Sequence, residues 1–185
     1  MAADPRRVEV WVAMADHFLD TETRQDIPLT AWRCVVAGLS VAEARWVWDC
    51  EVTPAVGFNL REIAGEWAMW PRDWLVGQIE SSRLEQPPRE QTKDGVWSAI
   101  ERCIEALAVL PSPAAREETA RDLHALARHW FDFVPPVPDA AQRERLRALA
   151  PEPFRRLVAP ATYPDEVAGC ERRLAALVTG DDRGR

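Results

Sequence analysis

Apolar residues recur at three- and four-residue intervals along this chain, in stretches bounded by caps and breakers. That pattern restricts it to helices packed on helices. Asp4 and Pro5 form an N-cap and first-turn pair, after which Val8, Trp11, Val12, Ala15, Phe18 and Leu19 share one helical face. The polar run from Asp20 to Asp26 ends that helix. Pro28 to Ala37 follows as a second helix, with Gly38 as its C-terminal stop. Ser40-Val-Ala-Glu43 is a capping box that opens a third, to about Glu51.

Beyond it, Val52 to Phe58, with Pro54 and Gly57, reads as an extended connection able to pair as a short strand. Asn59-Leu-Arg-Glu62 resembles a second capping arrangement, starting a helix towards Met69. Pro71 disfavours helical geometry at Trp70, so the helix breaks there and restarts, running to about Arg83. Leu84 to Asp94, containing Pro87-Pro88, is the best linker. Helices are then expected at Gly95 to Leu110, at Ser112-Pro113 to about Phe133, at Asp139 to Leu149 and at Pro164 to Val178, with a helical turn at Glu152 to Val158. The expectation is an all-α fold, a compact bundle of seven to nine helices. It divides into a Trp-rich acidic subdomain at 1–86, a linker at 87–94, a second helical subdomain at 95–178 and a flexible tail at 179–185. A chain of 185 residues buries roughly 70% of its unfolded surface without staples.

Seven of the nine tryptophans, Trp11, Trp32, Trp46, Trp48, Trp67, Trp70 and Trp74, fall in the first 74 residues. Tryptophan adds more apolar area per residue than any other side chain, so such a cluster marks the centre of a core or an anchor surface for another protein. Charge is distributed with the same asymmetry. Residues 1–90 carry 9 basic and 15 acidic side chains, whereas residues 91–185 carry 14 and 15. The acidic first half opposes a nucleic-acid backbone, which needs clustered Lys and Arg, and suits a basic protein partner or simple solubility.

Lys93 is the one lysine among many arginines, and with abundant Ala and Pro this points to GC-rich codon usage and a bacterial source. Cys34, Cys50, Cys103 and Cys170 show no metal-ligand spacing and each lies in an apolar stretch, as free buried thiols do. Neither a signal-peptide core nor a run approaching the ~20 apolar residues of a membrane span is present, so a cytoplasmic location is expected, without a membrane partner.

Chemistry-bearing clusters are few. Asp16 and Asp20 lie four apart on one helical face, and with His17 or Glu22 they offer a hard-metal site or paired acid–base carboxylates. His17, however, projects about 100° from Asp16, and Asp20 and Thr21 also suit backbone bonds at a helix end. Glu66, beside Trp67, is a second candidate carboxylate, more simply read as a hydrogen-bonded partner of Arg33 or Arg61. His124 and His129, five apart, miss the i, i+4 metal spacing. Phosphate loops, dinucleotide fingerprints and nucleophile elbows are absent from the sequence. No metal, cofactor or catalytic residue is expected.

Val10-Trp11, Phe18-Leu19-Asp20-Thr21-Glu22, Glu51-Val52 with Pro54, and Asn59-Leu60 followed by Gly65-Glu66-Trp67-Ala68, Trp70 and Asp73-Trp74-Leu75 make a specific pattern. Over about residues 8–80 it resembles a family of small bacterial cytosolic proteins built on a domain of unknown function. The resemblance implies an all-α first half and supplies no catalytic residue. Acidic charge, aromatic density and missing catalytic motifs together favour a non-catalytic protein-binding module, in particular an immunity- or antitoxin-like protein that masks a basic toxin or nuclease. Its expected contact residues are Asp20, Glu22, Asp73 and Trp70, the last taken as exposed at a proline-forced break. The alternatives are a small carboxylate- or metal-dependent enzyme using Asp16, Asp20 and Glu66, and a structural or adaptor subunit of an oligomer.

Overall fold

The computed structural model describes residues 4–19, 23–61, 69–87 and 94–131, with 140, 141 and 144. Most of these are helical and none lies in a strand, so the fold is all-α. The helices are α1 (Pro5–Ala15), α2 (Ile27–Val36), α3 (Val41–Trp46), α4 (Thr53–Val56), α5 (Arg72–Ser82), α6 (Asp94–Ala108) and α7 (Pro113–Phe131). The helices expected after Phe131 fall outside the described residues, and so does part of the expected total.

The caps act where the residue types place them. Asp4 Oδ1 accepts the Arg6 N–H at 3.0 Å, and Ser40 and Glu43 exchange both bonds of the capping box. At the end of α2, Gly38 takes φ +75°, Leu39 N–H reaches Cys34 O at 3.0 Å and Gly38 N–H reaches Val35 O at 3.1 Å. This reciprocal closure satisfies carbonyls that would otherwise be left over. Ser112 Oγ accepts the Ala115 N–H at 3.1 Å to start α7.

One local reading is corrected. Val52 to Phe58 is not extended: α3 widens into a π turn over Val47–Val52, then continues as α4 and a 3₁₀ turn at Gly57–Arg61. Pro54 sits in the first turn of α4, where its missing N–H costs little. It cannot donate back to Cys50, and the Cys50 carbonyl instead accepts the Leu84 N–H at 2.7 Å, tying the end of α5 to the π turn. Asn59 falls within that 3₁₀ turn, and the helix expected to start from it lies outside the described residues. Its side chain is buried and Nδ2 donates to Phe18 O at 2.8 Å, while Glu62 lies outside the described residues.

One hydrophobic core runs through the described helices. Trp48, on the π turn, is fully buried, with the Phe18 ring at 4.9 Å, His17 at 6.2 Å and Trp97 at 6.0 Å. Trp97, Ile100, Cys103 and Leu107 of α6 belong to the same core as Trp11 and Phe18, and both α6 and α7 pack on α2. Residues on either side of the expected 87–94 linker therefore share a single interior. Trp11 and Phe18 are buried together as expected; Trp67 lies outside the described residues. No single helix among the described residues is long and apolar enough to cross a membrane.

Burial also fixes the thiols. Cys34, Cys50 and Cys103 are free and buried, and desolvation pushes Cys34 and Cys103 up to about 12. A Cys170→Ser variant should therefore show no thiol reacting with a disulfide reagent in the native state and three after denaturation. Rapid native labelling would refute the packing. Trp11→Ala should lower unfolding stability by ~3–5 kcal/mol in urea titration, as deletion of a buried large aromatic does.

Candidate binding groove

Two helices frame the site. α1 and α2 run antiparallel, bringing the C-terminal end of α1 beside the N-terminal end of α2, and a groove of about 220 Å³ opens along their seam. From α1 it is lined at helical spacing by Glu9, Val12, Ala13 and Asp16. The facing wall is Asp26, Leu29, Thr30, Trp32 and Arg33.

Thr30 and His17 make the floor rigid. The Thr30 hydroxyl lies 3.3 Å from Ala13 O and 3.2 Å from Asp26 O, and His17 Nε2 is 2.9 Å from the same oxygen. With its hydrogen directed at carbonyls, Thr30 accepts from Nε2–H, which leaves Nδ1 to accept from the Thr23 hydroxyl at 3.3 Å. His17 is fully buried and spent on this structural network. It does not turn outward to join Asp16 in a metal set, and Asp20 and Glu22 lie outside the described residues. Among the described residues no group of three or more His, Cys, Asp or Glu is placed to hold a metal.

The three groove carboxylates differ in charge balance. Glu9 accepts from Arg72 Nη2 at 2.6 Å and lies 3.9 Å from Arg33, and the Arg72 hydrogen bond holds it below the usual carboxylate range. Asp26 meets Nε2 of His124, on α7, at 3.1 Å. Asp16 is half-buried, and no described cation or donor engages its carboxyl. Burial, and then the charge of Asp26, push it up to about 6. Its position at the C-terminal end of α1, the negative pole of the helix, disfavours its charge further. Arg33 meanwhile stacks over the Trp32 ring at 4.8 Å and forms the opposite, cationic rim.

Of the contact residues expected from sequence, Trp70 is corrected. It is 5% exposed, its Nε1–H donates to Ala15 O at 2.9 Å and its ring stacks on Trp74 at 5.5 Å. The proline break does interrupt the helix, but the freed indole turns inward to satisfy a carbonyl orphaned at the end of α1. Trp70 is not an exposed anchor. Asp73 is exposed in the first turn of α5, and Glu66 lies outside the described residues. Sequence reasoning missed Glu9, Asp26, Thr30, Trp32 and Arg33 as groove residues. Their signal was the i, i+3, i+4, i+7 stripe that Asp26, Leu29, Thr30 and Arg33 make along α2. The His124–Asp26 contact spans 98 residues and had no local signal.

A carboxyl raised in the folded state is destabilising when ionised, above about pH 6, and that penalty fades as pH falls through 6 towards the unfolded value. Asp16→Asn should thus stabilise the protein at pH 7–8 by on the order of 1 kcal/mol, a figure reduced because solvent still screens the group. The gain should vanish near pH 4. Denaturant midpoints for both proteins across that range provide the measurement; a variant less stable than wild type at pH 8 would contradict it.

The comparisons with known proteins agree with this fold in extent. A family profile described as a domain of unknown function (DUF7079) matches residues 5–107, from the first turn of α1 to the end of the α6 core face. It thus takes in both walls of the groove and extends past the residues that carried the resemblance in sequence. No curated protein and no solved structure matches the chain. The chain belongs to the DUF7079 family, the family of that domain of unknown function.

Proposed function

We propose that this protein is a non-catalytic, cytoplasmic protein-binding module that takes a basic partner on its acidic first half, in the manner of an immunity or antitoxin protein masking a basic toxin or nuclease. The observation that carries this reading is Asp16. A carboxylate without a partner among the described residues is kept, at a cost to folding, in a groove walled by a second carboxylate and an indole. An incoming guanidinium or ammonium relieves that cost, because opposite charge within contact distance restores the ionised form. The excess negative charge of residues 1–90 speeds encounter with such a partner. Asp20, Glu22 and Asp73 serve as rim charges in this reading, a role that Trp70 does not share.

One observation favours a second reading. A carboxyl titrating at about 6 is also suited to proton transfer, which supports a small carboxylate-dependent enzyme with Asp16 as its acid–base group, aided by Asp20 and Glu66.

Affinity capture from a lysate of the source cell, followed by mass spectrometry, tests the leading reading. It should recover a strongly basic protein whose association slows with salt. Charge reversal at Asp20, Glu22 and Asp73 should slow association and flatten its salt dependence, leaving the fold intact. Recovery of no basic protein, or of one indifferent to both salt and charge reversal, would overturn it.

A further inference from the structure

The groove at Asp16 does not end at Glu9. Beyond the Glu9–Arg33 pair a second hollow of about 260 Å³ adjoins it at the other end of the same helix seam, lined by Pro5, Arg6, Val36 and Ala37 and sharing Glu9 and Arg33 with the first. Ten residues separate Arg6 from Asp16 on α1, and ten separate Asp26 from Val36 on α2. At 1.5 Å per residue the trough is about 15 Å long. Its two ends differ in chemistry. One end carries Asp16 and Asp26. The middle is closed electrically by the Glu9–Arg33–Arg72 cluster. The other end is cationic at Arg6 and apolar at Val36, which is 49% exposed.

We propose that this trough seats one amphipathic helix of the basic partner, with an arginine or lysine against Asp16 and an apolar side chain against Val36. The inference rests on the protein-binding reading above and names the seat and the partner's chemistry. Charge complementarity selects the cation for the Asp16 end, because Glu9 is already neutralised by Arg72 and Arg33 while Asp16 has no such cation among the described residues. Length selects the helix. Residues i and i+11 of a helix share a face and stand about 16 Å apart, matching the trough, with i+4 over Val12 and Leu29, one turn from the Asp16 end, and i+7 over the Glu9–Arg33 pair. Two helices packed side by side present to a third the kind of seam into which its side chains interdigitate.

The probe is a synthetic 16-residue helical peptide, blocked at both ends, with arginine at one position, leucine four and eleven positions later, and glutamine seven positions later, where it faces the Glu9–Arg33 pair. Its control carries citrulline, the neutral isostere, in place of arginine. Amide shifts of the full-length protein should move saturably along Ala13–Asp16 and Asp26–Val36. Citrulline and Asp16→Asn should each weaken binding roughly tenfold, the loss of one charge-assisted contact. Asp16→Asn should leave the citrulline peptide unaffected, and Val36→Glu should weaken both peptides. No saturable shift up to millimolar peptide, shifts confined to another surface, or equal loss of both peptides in Asp16→Asn would overturn the proposal. Lysate capture of a basic partner that is sensitive to Asp20 and Glu22 but indifferent to Asp16 and Val36 would sink this seat and leave the broader reading standing.

Discussion

Glu51 holds the frame on which the groove is built. It is 5% exposed, and its carboxylate accepts Trp11 Nε1–H at 2.7 Å and a two-point grip from Arg7 at 2.6 and 3.0 Å. Both donors stand one turn apart on α1, while Glu51 belongs to the π turn that follows α3. A carboxylate that deep is tolerated only when paired and hydrogen-bonded, and stripping one partner from such a pair costs about 3–5 kcal/mol. This contact sets where α1 lies against the Trp48 core. α1 in turn supplies one wall of the groove, the Ala13 carbonyl on Thr30 and the Ala15 carbonyl on Trp70. The wide turn allows this arrangement, since all six of its residues are buried, carrying Trp48 and Glu51 inward together. Such π turns recur where a fold is adapted to a task rather than to regular packing alone.

Around that frame, polar groups are treated unequally. Asp49 is paired with Arg45, Glu51 with Arg7, Glu9 with Arg72 and Asp26 with His124. Asp16 stands apart. It meets partial burial, the adjacent charge of Asp26 and the negative end of α1, and each of the three works against its ionisation. A fold selected for stability alone is better served by asparagine there. An energetically costly group in a cleft is where binding or chemistry is concentrated, which is why the functional reading rests on this position rather than on the better-satisfied carboxylates.

Much of the helical frame was legible in the sequence because its signals are local. Asp4-Pro5, Gly38, Ser40 with Glu43, and Ser112 each act within four residues of the group they satisfy, so type and position alone identify them. The misreadings share the opposite property. Pro54 signals a break because its tolerance in a helix depends on Leu84, thirty residues on, using the carbonyl that Pro54 leaves free. Trp70 was read as lifted outward because nothing nearby shows that Ala15 O is waiting for its indole. The groove itself combines two stripes from helices that touch only once packed. The spacing from Asp20 marks Asp16 as a candidate, whereas its burial and its approach to Asp26, at the end of the polar run that closes the first helix, arise only on packing.

The proposed function turns on Asp16 being a half-buried, destabilised carboxylate facing Asp26. Carbon-13 detection of side-chain carboxyl groups across a pH titration of the native protein measures it directly. The Asp16 midpoint should lie at about 6 and fall when Asp26 is replaced by asparagine. A midpoint at the ordinary aspartate value, about 3.9, unmoved by that substitution, would contradict it.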